Sequence, residues 1–137
     1  LKPHLPEEDP ESKKKAVIGV VEGDTHDIGK NLVKIMMETA GFEMVDLGRD
    51  VPLQKFVDTA KETRADLVCL STLMTTTMSG MKTVIDLLKE AGIRDEVKVM
   101  IGGGPVSKNF ADKIGADGYS QNAVEAVRLA KSLLNIA

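Results

Sequence analysis

Five short apolar runs without polar alternation recur along this chain of 137 residues, and a longer stretch with helical periodicity follows each of them. A strand that is covered on both faces has such a run, because none of its side chains meets water. Five strands that alternate with helices predict a parallel sheet with right-handed crossovers. The predicted strands are 16–21, 42–47, 67–70, 97–101 and a brief strand around Tyr119.

We therefore expect an α/β fold: a doubly wound, five-stranded parallel sheet of order 2-1-3-4-5, flavodoxin-like or Rossmann-like, with helices on both faces. The first helix should end before Gly41, and its apolar residues fall on one stripe. We expect this stripe to be the buried face of the helix; it consists of Ile28, Leu32, Ile35 or Met36, and Ala40. Ser107 and Asn122 should begin the last two helices, since their side chains can cap a helix.

Composition excludes several classes of function for this single globular domain. The 18 Lys and Arg against 21 Asp and Glu leave a net charge of -3, so we expect no nucleic-acid partner. No apolar run approaches the roughly 20 residues of a membrane span, and no signal peptide opens the chain, so we expect no membrane association and a cytoplasmic location. The single cysteine, Cys69, cannot form an internal disulfide and is interpreted as a small buried side chain.

Three loops should carry the chemistry, because the loops after strands one, three and four converge at the carboxyl edge of such a sheet. The first, 22–30, reads EGDTHDIGK. Its spacing from Gly23 to Gly29 is one residue too long for a phosphate-binding P-loop, which is therefore excluded. Residues two apart in an extended loop project to one side, so Asp24 and His26 can hydrogen-bond. The carboxylate would then fix one imidazole nitrogen and leave the other free to bind a metal or act as a base.

The other two loops are unusual in composition. Residues 71–80 hold six hydroxyl side chains within ten positions, and residues 102–105 read GGGP. Each pattern has a plainer explanation, because threonines cap helices and glycines make tight turns. Missing side chains at 102–104 would also let a bulky ligand approach the backbone closely. Neither loop identifies a site when it is taken alone.

Together, the three loops resemble the signature of the cobalamin-binding domain shared by methionine synthase, the base-off mutases and corrinoid methyl carriers. The matching blocks stand in the family's order and spacing; they are Asp24-x-His26-x-x-Gly29, Ser71-x-Leu73 and Gly102-Gly103. The resemblance covers 15–137, which we interpret as a cobalamin-binding domain. Residues 1–14, rich in proline and charge, are interpreted as a linker or arm.

The resemblance implies cobalamin as the cofactor, bound with His26 as the metal ligand to cobalt in place of the cofactor's own base. Asp24 would accept the proton of the other ring nitrogen, and the Thr77 hydroxyl would extend this relay; these three residues are the candidate catalytic set. The displaced nucleotide tail would lie in a slot lined by Ser71, Leu73, Gly102 and Gly103, and Gly29 would let the first helix start close to it. Further cofactor-binding residues are expected to be Asp27, Ile28, Thr75, Gly104 and Tyr119.

The segments 20–24, 74–78 and 115–119 are similar to those of corrinoid proteins from anaerobic methyltransferase systems, which act on methylamines, methanol or methoxylated aromatics. That similarity implies a methyl carrier that cycles between methylcobalamin and cob(I)alamin. Its expected partners are a substrate-specific methyltransferase, an acceptor methyltransferase and a reductive activator. Because the sequence offers no nucleophile or substrate pocket of its own, we expect it not to be a complete catalyst alone. Those proteins usually carry a small helical cap domain upstream, and residues 1–14 would be its exit linker.

Two alternative hypotheses stay open, and two further ones are excluded. The cobalamin module of an adenosylcobalamin mutase is disfavoured because no barrel accompanies the domain, and a cobalamin-based sensor because no DNA-binding helices are present. A cofactor-free receiver domain would need an acidic residue where Ser71 stands. A flavodoxin would need aromatic residues to sandwich its flavin, but only 3% of this chain is aromatic.

Overall fold

Five strands form the centre of the protein, as their unbroken apolar runs require. A computed structural model describes residues 14–134, and within them the strands are β1 (Lys15–Val21), β2 (Glu43–Val51), β3 (Leu67–Ser71), β4 (Lys98–Gly102) and β5 (Gly118–Ser120). They pair in parallel in the order β2-β1-β3-β4-β5. This order confirms the predicted fold class.

A helix follows each strand, and the helices cover both faces of the sheet. Over residues 14–134 the α-helices are α1 (Ile28–Thr39), α2 (Leu53–Thr63), α3 (Ser79–Glu90), α4 (Lys108–Ile114) and α5 (Ala123–Leu133). The last two begin at the predicted caps. The Ser107 Oγ accepts a hydrogen bond from the Phe110 N–H at 3.1 Å, and the Asn122 Oδ1 accepts one from the Glu125 N–H at 2.9 Å.

The two faces of the sheet are packed differently. Against α2, α3 and α4, large apolar side chains fill the core; they include Phe56, Met81, Ile85, Leu88 and Ile101. Against α1 and α5 the buried cluster is smaller, and several of its members are small themselves: Ala16, Cys69, Ala126 and Ala130. Because small side chains fill less volume, this second face is where the fold can leave room for a cavity.

The buried face of α1 differs from the predicted one. Ile28, Leu32 and Ile35 are 76%, 54% and 57% exposed, so these three predicted core positions are wrong. Met36 and Ala40, the other members of the predicted stripe, are partly buried. The residues that face the core are Lys30, Val33 and Met37.

Burial of Lys30 is the physical reason for this difference. The Lys30 Nζ lies 2.9 Å from both carboxylate oxygens of Asp46 on β2, and 2.6 Å from the Asn31 Oδ1. An apolar pattern cannot identify a buried lysine, because its burial depends on a carboxylate that is distant in sequence. With Lys30 turned inward, Ile28, Leu32 and Ile35 of the predicted stripe face outward.

The ends of the chain lie outside the described residues. The predicted linker or arm over 1–14 falls almost entirely on them, so it stays a prediction. From residue 14 to residue 134, no helix combines the length and the apolar character that a membrane crossing requires.

We predict that removing Asp46 from the Lys30–Asp46 pair destabilises the fold more than removing Lys30 does. The Lys30 side chain is 3% exposed and that of Asp46 is 22% exposed, so Asp46→Ala leaves the more deeply buried charge without its main partner. Asp46→Ala should lower the free energy of unfolding by about 3 kcal/mol, and Lys30→Met by less. Urea unfolding measures both, with Lys82→Met in an exposed pair as the control, which should change stability by less than about 0.5 kcal/mol. Equal losses in the two variants would contradict the prediction.

The same pair should make the free energy of unfolding depend on pH in the acid range. Burial raises the pKa of Asp46, but hydrogen bonds from the Lys30 Nζ and the Gly48 N–H, together with the lysine charges, lower that pKa more, so it lies below its usual value. A carboxyl whose pKa is lower in the folded state stabilises the fold above its unfolded pKa of about 4, and this contribution is lost as pH falls further. The stability difference between wild type and Asp46→Ala should therefore shrink when unfolding is measured well below pH 4 rather than at pH 7.

Candidate functional site

The loop after β1 is fixed at the carboxyl edge of the sheet by backbone hydrogen bonds. The Asp24 N–H donates to the Val21 carbonyl at 3.1 Å, and the Asp24 carbonyl accepts from the Asp50 N–H at 2.8 Å. The Gly23 N–H donates to the Asp50 Oδ1 at 2.8 Å, with Gly23 at a φ of +94° that favours glycine. These contacts direct the Asp24 side chain inward, where it is fully buried.

The Asp24 carboxylate accepts four hydrogen bonds. Its Oδ1 accepts from the His26 N–H at 2.9 Å and lies 2.6 Å from the His26 Nδ1. Its Oδ2 accepts from the Thr72 hydroxyl and the Leu73 N–H, both at 2.7 Å. One carboxylate therefore joins the loop after β1 to the loop after β3.

These hydrogen bonds determine the proton positions at the site. Burial raises the pKa of Asp24, but the hydrogen bonds from Thr72, His26 and Leu73 together lower that pKa well below its usual range. Asp24 therefore stays ionised and can only accept, so the His26 Nδ1 carries a proton and donates it to this carboxylate. The His26 ring is about half exposed (55%), and its Nε2 keeps a free lone pair in the neutral ring.

Thr72 is a site residue that sequence reasoning missed. Its side chain is fully buried, and its hydroxyl lies between the Asp24 Oδ2 and the Thr77 hydroxyl, which it contacts closely. The Thr77 hydroxyl also donates to the Met74 carbonyl at 3.0 Å. The link from Asp24 to Thr77 therefore passes through Thr72. The signature has a variable position at residue 72, so only the abundance of hydroxyl residues in this loop pointed toward it.

A cavity of about 640 Å³ opens beside His26, between the sheet and helices α1 and α5. We call it the slot. Its wall includes all four residues that were predicted to line such a slot, Ser71, Leu73, Gly102 and Gly103. Other predicted cofactor-binding residues in the wall are His26, Gly29, Gly104 and Tyr119. The wall does not include the predicted residues Asp24, Asp27, Ile28, Thr75 and Thr77. Slot residues that the sequence did not indicate include Ile18, Cys69, Met100 and Ser120 on the sheet, and Ala126 on α5.

The glycines of the third loop have different roles. A β-carbon on Gly103 would lie 1.7 Å from the Thr72 carbonyl oxygen, and Gly103 has a φ of +126°. A side chain there would displace Thr72 before it filled the slot. Around Gly29, by contrast, a β-carbon would meet no atom within 4 Å. Gly29 therefore leaves the first turn of α1 open on the slot side.

Comparison with known proteins identifies the family. The family described as "B12 binding domain" matches residues 14–128. The chain belongs to the B12-binding domain family. This finding confirms the predicted family and its cofactor, a corrinoid.

Among similar proteins, the dimethylamine corrinoid protein 3 of Methanosarcina mazei is 56% identical over 135 residues, which cover 98% of this chain and 81% of that protein. Other curated relatives are longer, and the chain spans 58–63% of their length. The monomethylamine corrinoid protein structure of Methanosarcina barkeri has a TM-score of 0.83 at 42% identity, over 93% of this chain and 61% of that one. The structure of a methanol:cobalamin methyltransferase complex from the same organism has a TM-score of 0.82 at 36% identity, over 88% of this chain and 46% of the matched one.

The residues of the site fit a base-off corrinoid. His26 offers a half-exposed imidazole whose Nδ1 is held by Asp24, which is how proteins prepare a histidine as a metal ligand. The slot beside it has the size range of pockets that take organic ligands, and it begins where glycines leave the backbone bare. A nucleotide tail that has left cobalt can be accommodated there.

We predict that Gly29→Leu weakens binding of the cofactor in the slot without destabilising the fold. The position is helical with open space around it, so the substitution should raise or preserve the melting temperature while its side chain obstructs the slot. Hydroxocobalamin titration followed by absorbance should show at least about tenfold weaker binding, with Gly29→Ala losing less. Unchanged affinity in Gly29→Leu would mean that the tail does not pass this position.

Proposed function

We propose that this chain is the corrinoid subunit of a methylamine methyltransferase system, which binds a cobamide with His26 as the lower ligand and carries a methyl group between partner enzymes. The observation that carries the proposal is the His26–Asp24 pair held at the mouth of a slot of about 640 Å³. When bound, cobalt supplies the atom that accepts and releases the methyl group. The side chains of this protein would bind the cofactor and orient the histidine that holds cobalt.

His26 would bind cobalt through its Nε2. The hydrogen bond from Nδ1 to Asp24 keeps the ring in one tautomer and one orientation. Because Asp24 already accepts from Thr72 and Leu73, it holds this proton in a hydrogen bond without taking it over. His26 would therefore act as a neutral ligand that is polarised by a nearby carboxylate. Such a neutral ligand would hold cobalt through one nitrogen lone pair, and it could release the metal while its own proton stays on Asp24's hydrogen bond.

The proposed binding residues divide into two groups. Residues of the slot would hold the nucleotide tail between the sheet and the two helices α1 and α5. Asp27, Ile28 and Thr75 are proposed to contact the corrin ring, since they are outside the slot but close to His26 or Thr77 in sequence. Ile28, at 76% exposed, would then gain an apolar cover.

The carrier role is supported by the proteins that this chain is similar to. Two of the similar proteins are named dimethylamine corrinoid protein and monomethylamine corrinoid protein. These names favour a methyl carrier with a methylamine donor over a mutase module or a sensor. The similar chain in a methanol:cobalamin methyltransferase complex supports a substrate-specific methyltransferase as a partner. An acceptor methyltransferase and a reductive activator complete the proposal.

We predict that His26→Ala keeps the fold and part of the cofactor affinity but loses the cobalt ligand. His26 lies in a loop outside the core, and the other residues of the slot wall remain when it is replaced. Electron paramagnetic resonance of the Co(II) protein should show imidazole nitrogen coupling in wild type and in the exposed neighbour variant Thr25→Ala, and none in His26→Ala. Coupling that persists in His26→Ala would refute the ligand assignment.

A second prediction separates a carrier from a complete enzyme. The cobamide-loaded protein, mixed with dimethylamine and a thiol acceptor under reducing conditions, should form no methylated thiol. Product should appear only when separate donor and acceptor methyltransferases are added, and mass spectrometry of the thiol measures it. Multiple turnovers by this chain alone would show that the carrier assignment is wrong.

A further inference from the structure

Asp50 has a backbone conformation that few residues other than glycine adopt. Its φ is +50°, although it lies inside β2. Between residues 14 and 134 the only other non-glycine residue at positive φ is Arg64, which ends α2, where a left-handed residue is common. The conformation of Asp50 has no such local cause. A backbone held in a sparsely populated region persists only when the surrounding contacts fix it.

An irregularity of β2 places Asp50 beside the loop after β1. Between the paired residues Gly19–Gly48 and Val21–Val51, β1 has one residue and β2 has two, of which Asp50 is the second. Such a bulge bends the strand and redirects a side chain, and bulges are frequent next to functional sites. Here the bulge brings Asp50 to the carboxyl edge of the sheet, where the candidate site lies.

Asp50 holds the loop after β1 with two hydrogen bonds. Its N–H donates to the Asp24 carbonyl at 2.8 Å, and its Oδ1 accepts from the Gly23 N–H at 2.8 Å. A third hydrogen bond joins the same two segments, because the Leu53 N–H donates to the Glu22 Oε1 at 3.3 Å. The first two bonds lie on either side of the Asp24 α-carbon along the chain. Together they fix the direction in which the Asp24 side chain leaves the backbone.

The direction of that side chain decides where His26 lies. The Asp24 carboxylate is fully buried, and its Oδ1 lies 2.6 Å from the His26 Nδ1. A buried carboxylate has little freedom to compensate for a displaced backbone, since losing any of its donors is costly. Asp50 would therefore act on His26 through Asp24.

We propose that Asp50 is a positioning residue for the cobalt ligand: by holding the backbone on both sides of the Asp24 α-carbon, it sets the orientation in which Asp24 presents His26 to cobalt. This inference rests on the proposed function, because it assumes that His26 binds cobalt. The Asp50 side chain is part of the assignment, since a glycine would adopt the same φ but provide no acceptor for the Gly23 N–H.

Two variants separate the side chain of Asp50 from its backbone conformation. Asp50→Gly accommodates the positive φ and removes the acceptor, whereas Asp50→Asn tolerates that φ and keeps an acceptor oxygen. The matched control is Arg64→Gly, which replaces the other non-glycine residue at positive φ, at the opposite edge of the sheet. All three variants should keep a melting temperature close to that of wild type.

Absorbance titration of the full chain with hydroxocobalamin measures the effect as a dissociation constant. Asp50→Gly should bind about fivefold more weakly than wild type, as the loss of one hydrogen bond predicts. Asp50→Asn should recover most of this loss, and Arg64→Gly should bind as wild type does. In a His26→Ala background, Asp50→Gly should cause no further loss, because no ligand is left to position.

The cycle also shows how the inference would fail. An equal loss from Asp50→Gly in the His26→Ala background would mean that Asp50 acts on the slot or the fold, and it would overturn the inference. Wild-type affinity in Asp50→Gly, or an equal loss in Asp50→Asn or Arg64→Gly, would overturn it as well.

A measurement on the cofactor-free chain decides the inference if wild type or His26→Ala takes up no hydroxocobalamin. Nitrogen-15 magnetic resonance of the neutral His26 ring should place the proton on Nδ1 in wild type and Asp50→Asn, and share it between Nδ1 and Nε2 in Asp50→Gly. A proton confined to Nδ1 in Asp50→Gly would overturn the inference. Failure of wild type to take up hydroxocobalamin, by contrast, would count against the proposed function itself.

Discussion

The site depends on one buried carboxylate. Asp24 accepts two hydrogen bonds from His26 and two from the loop after β3, and it has no contact with water. Burying an ionised carboxylate is costly unless several donors surround it, so the four donors and the charge require each other. These hydrogen bonds fix the position of a histidine that would otherwise be a mobile surface residue.

The slot depends on an imbalance between the two faces of the sheet. One face is filled by Phe56 and long aliphatic side chains, and it stabilises the domain. On the other face, alanines and Cys69 pack against α1 and α5. These helices can therefore contact the sheet away from its carboxyl edge and leave a space near that edge. A parallel sheet with a doubly wound order opens at that edge, because the loops after β1 and β3 lead to helices on opposite faces of the sheet. The larger part of the core and the slot therefore lie on opposite faces of the sheet.

Sequence reasoning succeeded where a signal is local and failed where it depends on a distant partner. Unbroken apolar runs located the strands, and the two-residue spacing of Asp24 and His26 predicted their contact, because both rest on backbone geometry alone. The stripe on α1 was misassigned since Lys30 is buried by Asp46 on another element. Thr72 and Ser120 were missed for a related reason. A hydroxyl next to a strand has no distinguishing pattern until the register and the neighbouring loops are known.

Thr72 connects the two halves of the site mechanically. Its hydroxyl donates to Asp24, its N–H donates to the Gly102 carbonyl at 3.3 Å, and its own carbonyl lies where a side chain on Gly103 would be. Thr72 is thus the single residue between the Gly102–Gly103 wall of the slot and the Asp24 carboxylate that holds His26. Because packed backbone atoms leave little room to absorb a shift, a displacement of 102–103 would be passed on to Thr72. Thr72 is therefore the contact through which an occupant of the slot would influence the orientation of His26.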